Sequence, residues 1–446
     1  MSQKPSQSNL SAVKLPEQPV DRLVTPIVRF MHVEAAAGVV LLLCTLVALV
    51  VANSPAAEAY LHFWEIEIGL RMGEFELMLT LHHWINDGLM AVFFFVIGME
   101  VKQELVHGEL RELRRSLLPI AAALGGMLAP AAIYLVLQGG GNARPGWGIP
   151  MATDIAFVVG CLALLGSRVP HTLRVLLLTL AIADDIGAIL VIAIGYSGDL
   201  DWVALVCAAA GVALIHVLGR LGVRGFGLYA IVGVLVWFAV YKSGIHATIA
   251  GVVVGLMTPA RSLLSETRFA EMLSRVSEVL HGGDWEQEVG RAGKVRRLQR
   301  ASRETISPLE YLQDALHPWV SFLVMPVFAL ANAGVPIRAA DFADPVALSL
   351  AAALVLGKPL GIFALCWLTV KSGIAPMPKG LNWWLIAGGG ALAGIGFTMS
   401  LFIAGLAFQG PLLDTAKVGV LVGSALSAAA GFAVLLWALP KVPAAE

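Results

Sequence analysis

The 446-residue sequence has little charge, and this lack already argues against several classes of protein. Only 14% of its residues are charged and 58% belong to the hydrophobic set, whereas about a quarter of a typical soluble chain is charged. A water-soluble enzyme of this length is therefore not expected, and we predict that the protein is not an enzyme. The net charge of −1 gives no reason to expect a nucleic-acid partner.

Cysteine is also scarce, and the four cysteines stand singly in apolar stretches, at Cys44, Cys161, Cys207 and Cys366. Their spacing matches neither a metal site nor a redox pair, so we predict that they are small core residues. The sequence has no Walker loop and no kinase signature, which argues against transport driven by a nucleotide. No cofactor is expected.

Long apolar runs, in contrast, are abundant. A membrane-spanning helix needs about 20 mostly apolar residues. Twelve apolar windows recur, at about 34–52, 84–101, 117–137, 149–166, 175–194, 202–219, 225–241, 245–258, 318–335, 345–370, 382–408 and 418–439. We therefore predict an all-α polytopic membrane protein with twelve transmembrane helices. Residues 34–440 would form a single transmembrane domain, preceded by a cytoplasmic segment, 1–33.

The distribution of basic residues tests this layout. With the N-terminus inside, the predicted cytoplasmic segments hold 15 Lys and Arg residues and the external segments hold 5, without the long loop 259–316. That loop is left out because long loops translocate largely regardless of their charge. The excess of basic residues inside predicts that both termini and the loop 259–316 are cytoplasmic.

Residues 62–80 have a different pattern from the apolar windows. Polar and apolar side chains alternate over 64–70 and again over 75–79, with Gly73 between the two runs. This alternation around a glycine predicts an external β-hairpin, and an amphipathic surface loop is an equal alternative. Two strands alone are only marginally stable in water. A hairpin here is therefore expected to pair with a second copy of the chain in a homodimer.

Ionisable side chains occur within the apolar windows at a few positions. Such groups are expensive in a membrane and by default mark ion or substrate routes. They are Asp87, Glu100, Asp154, Asp184, Asp185, His246 and Lys358, with Glu104 just past the end of the second window. For Asp87 or His246 alone, a snorkelling or paired structural charge is an open alternative.

Asp184 and Asp185 are the most informative of these residues, because they are adjacent in the middle of the fifth apolar window. Consecutive helical residues diverge by about 100°, so both carboxylates must face a polar interior. Glu100 and Glu104 lie four residues apart on one helix face, at the predicted cytoplasmic end of their span. They would form either an interfacial charge cluster or a negative mouth that attracts cations.

Two of the windows contain helix-breaking residues. Gly and Pro stand beside Thr153 and Asp154 over 146–154, and glycines recur over 388–400. Backbone within a membrane can unwind only where it is buried in protein or lines a wet cavity. Interrupted segments in two halves of a chain indicate inverted repeats around a transport site. We predict that spans 4 and 11 are unwound mid-membrane, and that spans 3–5 and 10–12 are inverted repeats.

The ionisable and hydroxyl groups near these breaks offer oxygen ligands, which hard cations prefer. Asp184, Asp185, Asp154 and the Thr153 hydroxyl supply them beside unwound carbonyls. Removal from water favours the uncharged form of a carboxyl group, so a proton and a metal ion compete for the same oxygens. If the site opens to one side at a time, proton-coupled cation antiport follows. Lys358, expected to face the aspartate pair, would hold a carboxylate ionised or release its own proton.

Nine motifs of the sequence lie in the same order as in one known family. They are WINDGLMAVFF at 84–94, GMEVKQEL at 98–105, ATDIAF at 152–157, ADDIGA at 183–188, KSGIHAT at 242–248, HPW at 317–319, ANAG at 331–334, GKPLG at 357–361 and GIGFTMS at 394–400. Together they resemble the motifs of the NhaA-type sodium/proton antiporters, and the hydropathy pattern extends the resemblance to nearly the whole chain.

The resemblance implies a twelve-span inverted-repeat fold in which spans 4 and 11 unwind and cross. It implies exchange of internal Na+ or Li+ for external H+, electrogenic and regulated by pH, by a multi-pass protein among the lipids of the bacterial inner membrane. It also implies that the chain can form a homodimer through the external hairpin.

The resemblance further assigns roles to single residues. Asp184 and Asp185 would carry the proton and bind Na+ or Li+, and Lys358 would be their basic partner. Thr153 and Asp154 would compensate charge at the break. The pH response and the cytoplasmic funnel would involve Glu100, Glu104, Asp87 and His246.

The sequence departs from this family at two places. The loop 259–316 is longer than expected, and Gln313, followed by Asp314, stands where members can carry an acidic residue before the His-Pro-Trp motif. Both departures lie in the region that the family ties to pH sensing. The pH threshold of this protein therefore does not follow from the resemblance.

Two other functions compete with cation exchange. An intramembrane aspartyl protease also needs two membrane carboxylates, but its aspartates lie on separate spans, whereas Asp184 and Asp185 are contiguous. A sodium-coupled symporter of an organic anion, on a related inverted-repeat fold, is the remaining alternative. Such a symporter would have little need for a lysine within a span, such as Lys358.

Overall fold

The computed structural model describes residues 34–73, 75–221, 223, 226–262 and 305–439, together with isolated positions between 268 and 296. The predicted cytoplasmic segment 1–33 and most of the predicted loop 259–316 lie outside the described residues. The extent of the single transmembrane domain stays a prediction.

Most of the described chain is helical, as the apolar windows predict. The helices are α1 (Glu34–Ala52), α2 (Ala57–Glu65), α3 (Met90–Val106), α4 (Leu113–Gln138), α5 (Ile155–Leu165), α6 (His171–Gly195), α7 (Trp202–Arg220), α8 (Phe226–Lys242), α9 (Thr248–Met257), α10 (Pro308–Trp319), α11 (Met325–Ala333), α12 (Pro345–Ala352), α13 (Lys358–Lys371), α14 (Trp383–Ala393), α15 (Phe397–Ala407) and α16 (Pro411–Ala438). Two strands, β1 (Glu67–Met72) and β2 (Phe75–Thr80), lie between α2 and α3.

Seven helical stretches of the described chain are long and apolar enough to cross a membrane, or nine if two bent helix pairs each form one span. The chain is therefore a multi-pass membrane protein. Each of the twelve predicted windows overlaps a helix, but α9 has only 10 residues. At about 1.5 Å per residue it is about half as long as the hydrocarbon core is thick. The number of twelve spans stays a prediction.

One expectation from the sequence is wrong in detail. Cys207 is exposed on α7, whereas Cys366 is buried as predicted and the other two cysteines lie between these extremes. An apolar residue on an outer helix of a membrane protein faces lipid, so apolar surroundings in the sequence do not identify a core position. Lys417, which stands just before the last predicted window, lies inside α16 with 7% of its surface exposed. The helix begins early because Pro411 is well suited to its first turn.

The predicted hairpin is confirmed, and the alternative of an amphipathic surface loop is wrong. β1 and β2 are antiparallel, with Glu67 opposite Thr80 and Met72 opposite Phe75. Gly73 has a φ of 62° at the turn, a conformation that favours glycine. The indole Nε1 of Trp84 donates a hydrogen bond of 2.7 Å to the Ile68 carbonyl, which ties the hairpin to the segment that leads into α3.

Close contact between α4 and α13 brings the two helix backbones together. A Cβ added to Gly125 would lie 2.1 Å from the Gly361 carbonyl oxygen, and one added to Gly361 would lie 2.0 Å from the Gly125 carbonyl oxygen. Only glycine permits this approach at both positions. The contact lies about one helical turn from Lys358, the buried first residue of α13.

The helices on either side of two glycine-rich stretches are interrupted. A 3-10 helix, Arg144–Met151, ends before α5 begins at Ile155, and three residues separate the end of α14 from the start of α15. We call residues 152–154 the first break and residues 394–396 the second break. The axes of α14 and α15 differ by 46°. The Asp154 N–H donates a hydrogen bond of 2.7 Å to the Ile395 carbonyl, so the two breaks are in direct contact.

Candidate functional site

Five side chains singled out in the sequence lie buried at and beside the first break. Thr153 and Asp154 belong to the break, Asp184 and Asp185 lie in the middle of α6, and Lys358 begins α13. Between 0% and 3% of the surface of each residue is exposed. The structure therefore brings residues from three separate stretches of sequence into one water-poor site.

Lys358 and Asp184 form an ion pair at the centre of this site. The lysine Nζ donates a hydrogen bond of 2.6 Å to Asp184 Oδ2, and both side chains are fully buried. Lys358 also donates to the Thr153 hydroxyl. The hydroxyl in turn lies 2.6 Å from Asp184 Oδ2 and 3.0 Å from the Ala393 carbonyl, both of which can accept its proton. The pair is thus linked through Thr153 to the first break and to the last residue of α14.

A π-helical segment, Ala353–Gly357, sets the position of this lysine. The Lys358 N–H donates to the Ala353 carbonyl, five residues back instead of the usual four. Pro359 follows directly and has no N–H to donate. The π-type hydrogen bond and the missing N–H of Pro359 together interrupt the regular α-helical hydrogen-bond pattern at Lys358. The sequence pattern shows the proline but not the π-turn before it.

The two oxygens of Asp184 have different surroundings. Oδ2 accepts hydrogen bonds from Lys358 and Thr153. Oδ1 is buried, and no group among the described residues donates a hydrogen bond to it. A buried acceptor without a donor costs about 1–3 kcal/mol, and more when it is charged. One oxygen of the central carboxylate is therefore free to bind another group.

Asp185 is buried next to Asp184, and no residue of the described chain donates a hydrogen bond to its side chain. Glu100 lies on α3, which packs against α6. Because Asp185 is buried without a donor, a full negative charge on it requires a cation or a proton nearby.

Asp154 accepts hydrogen bonds at the N-termini of two helices. Its Oδ1 accepts from the Phe157 N–H at 3.3 Å, which caps α5. Its Oδ2 accepts from the Thr398 N–H at 3.1 Å and from the Thr398 hydroxyl, at the start of α15. A helix N-terminus carries a partial positive charge. The single carboxylate of Asp154 therefore offsets the partial positive charges at the starts of both α5 and α15.

The other residues predicted for the site lie further away. Glu104 lines a cavity of about 330 Å³ between the end of α3 and α6, together with His107 and Glu112. Asp87 lies in the π-helical segment before α3, where its backbone carbonyl accepts a hydrogen bond of 2.9 Å from the Trp237 indole. Neither Asp87 nor His246 bonds to the buried carboxylates within the described chain.

Sequence reasoning missed the polar residues that join the two breaks. Thr398 bonds to Asp154, and the Ser400 hydroxyl donates a hydrogen bond of 2.7 Å to the Ile149 carbonyl. The Ser424 hydroxyl, on α16, accepts from the Phe397 N–H at 3.1 Å. Thr398 and Ser400 belong to a motif that stands out in the sequence, but their partners lie more than 200 residues away.

Comparison with known proteins identifies relatives along nearly the whole chain. A family model described as Na+/H+ antiporter 1 matches residues 28–435. A protein of Rhodopirellula baltica named Na+/H+ antiporter NhaA is 58% identical over 427 residues, which cover 96% of this chain and 97% of the relative. A protein of Rhizobium meliloti with the same name is 51% identical and covers 96% and 98%.

One solved structure is also similar at a distance. The sodium proton antiporter MjNhaP1 of Methanocaldococcus jannaschii aligns over 90% of each chain, with 10% sequence identity and a TM-score of 0.49.

Proposed function

The chain belongs to the Na+/H+ antiporter 1 family, and we propose that it exchanges internal Na+ or Li+ for external H+ across the bacterial inner membrane. Relatives at 51–58% identity along nearly the whole chain are named for Na+/H+ exchange, and they come from bacteria. Sodium-coupled symport of an organic anion finds no support in these relatives. The excess of basic residues on the predicted inner side supports cytoplasmic termini.

The fully buried ion pair of Lys358 and Asp184, beside an unpaired Asp185, is the observation that carries the proposal. A buried charge must be paired or neutralised. Lysine neutralises Asp184 when no cation is bound. Asp185 has no such partner, so a proton or an alkali cation must neutralise it.

We propose that the two aspartates bind the transported cation between them. Carboxylate oxygens suit hard cations, and the free Oδ1 of Asp184 lies on the residue adjacent to Asp185. A proton on either carboxyl removes the negative charge that the cation needs. Cation and protons therefore bind in turn, and alternating access to the two membrane sides converts this competition into exchange. Release of more than one proton per cation makes the exchange electrogenic.

The first break supports this chemistry beside the two aspartates. Asp154 offsets the positive ends of α5 and α15, so the unwound backbone adds little net charge to the site. The Thr153 hydroxyl links the lysine to Asp184. We assign both residues to charge compensation and positioning.

The proposed pH response is supported unequally by the four residues assigned to it. Glu100 lies on α3, which packs against α6, and a negative charge there would favour a proton at the site. Glu104 lines the cavity at the predicted cytoplasmic end and would attract cations there. The assignments of Asp87 and His246 rest on the family resemblance alone.

We further propose that the hairpin joins two copies of the chain. An isolated two-stranded sheet is marginal in water, and edge strands readily pair with strands of another chain. The tie between Trp84 and β1 would fix the orientation of such a pairing relative to the membrane helices.

The test of the proposed exchange is an assay in everted membrane vesicles with a dye that reports ΔpH. Na+ or Li+ should dissipate a preformed gradient, and K+ should do so poorly. Asp184→Asn and Asp185→Asn should each abolish the response, because an amide can neither carry a proton nor supply a charge to the cation. Asp199→Asn, at an exposed position after α6, is the matched control and should exchange normally. Normal exchange by both site variants would disprove the assignment.

A further inference from the structure

Gly126, on α4, lies beside the free oxygen of Asp184. A Cβ added to this glycine would stand 3.8 Å from Asp184 Oδ1. The same Cβ would lie 3.1 Å and 3.3 Å from Cγ1 and Cδ1 of Ile362. The neighbour of the free oxygen on this side is thus a bare backbone next to an apolar side chain.

A side chain at this position would change what Asp184 Oδ1 can bind. Oδ1 is buried and has no donor among the described residues, whereas Oδ2 already accepts two hydrogen bonds. One C–O bond reaches from the position of a Cβ at residue 126 to hydrogen-bonding distance of Oδ1. Serine or threonine there would fill the vacant acceptor, and glycine cannot.

We propose that Gly126 is a specificity-determining residue of the cation site, because the absence of a donor at this position leaves Asp184 Oδ1 available to an arriving Na+ or Li+. This inference rests on the proposed function and deepens it. A cation and a hydroxyl donor need the same lone pairs. The unfilled acceptor, unfavourable in a buried site, is then the part of the site on which cation binding depends.

The test compares Gly126→Ala with Gly126→Ser, which place the same Cβ against Ile362 and differ by one hydroxyl. The alanine variant is the reference for the serine variant, because it adds the Cβ without a hydrogen-bond donor. The serine variant should have an apparent KM for Na+ that is about tenfold higher than that of the alanine variant, the effect of one hydrogen bond to a charged group. Its maximal rate at saturating Na+ should fall much less, because the cation can displace the hydroxyl.

A second readout does not depend on transport. Purified protein is heated with increasing NaCl, at ionic strength held constant with choline chloride. Ligand that binds only the folded state raises the melting temperature according to its affinity. The Na+ concentration that gives half of the full rise in melting temperature should be about tenfold higher for the serine variant than for the alanine variant. With Li+, the serine variant should again need the higher concentration.

Two results would overturn the inference. One is an equal KM for Na+ in the serine and alanine variants, and the other is tighter Na+ binding by the serine variant. If both variants are absent from the membrane, Ile362→Val is added to each, which removes the Cδ1 atom next to the new Cβ. Failure of the natural protein to exchange Na+ would instead refute the proposed function, so the two failures are distinguishable.

Discussion

The first and second breaks are alike in backbone form and differ in the groups that they contribute. The first break has a hydroxyl and a carboxylate, Thr153 and Asp154, whereas residues 394–396 are Gly, Ile and Gly. The first break nevertheless bonds both to the second break and to the helix that follows it. Asp154 accepts from Thr398 beyond the second break, and Ile395 accepts from the Asp154 N–H.

This difference shows that one carboxylate can serve two interrupted helices when their breaks are in contact. Asp154 receives donors from the N-termini of both α5 and α15, so the second break needs no acid of its own. The second break contributes carbonyl acceptors and room for close packing. A Cβ on Gly394, for example, would lie 2.6 Å from the Leu354 carbonyl oxygen.

The largest effect on stability is expected from Lys358→Met, which removes the charged lysine side chain that donates to Thr153 in the first break. Its loss leaves Asp184 as a buried carboxylate with no opposite charge. Breaking a buried ion pair in this way costs about 3–5 kcal/mol, so the free energy of unfolding in detergent should fall by about that amount. Denaturant titration of the purified variant measures it.

The control for this variant is the double substitution Lys358→Met with Asp184→Asn. Removal of both charges should restore most of the lost stability, because two neutral groups carry no penalty for unpaired charge. A double variant as unstable as Lys358→Met would show that the lysine stabilises the protein through its packing instead.

A smaller but still large effect is expected from Asp154→Asn, which removes the charge shared by the two breaks. The amide retains one acceptor oxygen but loses the charge-assisted hydrogen bonds, which contribute about 1.5–3 kcal/mol each. Stability should fall by about 2 kcal/mol, and the exchange rate by at least about tenfold through the loss of site geometry. Thermal unfolding and the vesicle assay measure the two quantities.

Asp201→Asn provides the matched comparison for Asp154→Asn. Asp201 is exposed and caps α7 alone, by accepting from the Val203 and Ala204 N–H groups. Asparagine caps helices about as well as aspartate, so this change should be nearly neutral. Equal effects of the two substitutions would contradict the claim that Asp154 acts on two helices at once.

The smallest of the three effects is expected from Thr398→Val, which removes a single donor from beyond the second break. Asp154 would keep the backbone N–H of residue 398 and lose the hydroxyl. Loss of this hydrogen bond to a charged group should cost about 1.5 kcal/mol. Thr398→Ser keeps the hydroxyl and should restore most of the stability in thermal unfolding. A serine variant as unstable as the valine variant would indicate that the methyl group matters instead.

The sequence predicts much of the site, because several of its residues are of types that are rare within membrane-spanning helices. Charges within apolar runs identify Asp184, Asp185 and Lys358, and glycine and proline within spans identify both breaks. The period-two pattern identifies the hairpin. Each of these signals lies within a few residues along the chain.

The parts that sequence reasoning missed depend on contacts between distant segments. Asp154 and Thr398 are separated by 244 residues, and no local pattern records that their helix ends meet. The role of Gly126 depends on which oxygen of Asp184 the lysine occupies. The π-turn before Lys358 depends on packing around a proline that equally permits an ordinary kink.

The most direct test of competition between cation and proton is to measure the protons released when the purified protein binds Na+. Titration with NaCl in two weak buffers of different ionisation enthalpy gives the number of protons released per Na+ bound. Proton release should accompany Na+ binding to the natural protein and be absent in Asp184→Asn and Asp185→Asn. Binding of Na+ without any release of protons, over the pH range in which exchange occurs, would contradict the account.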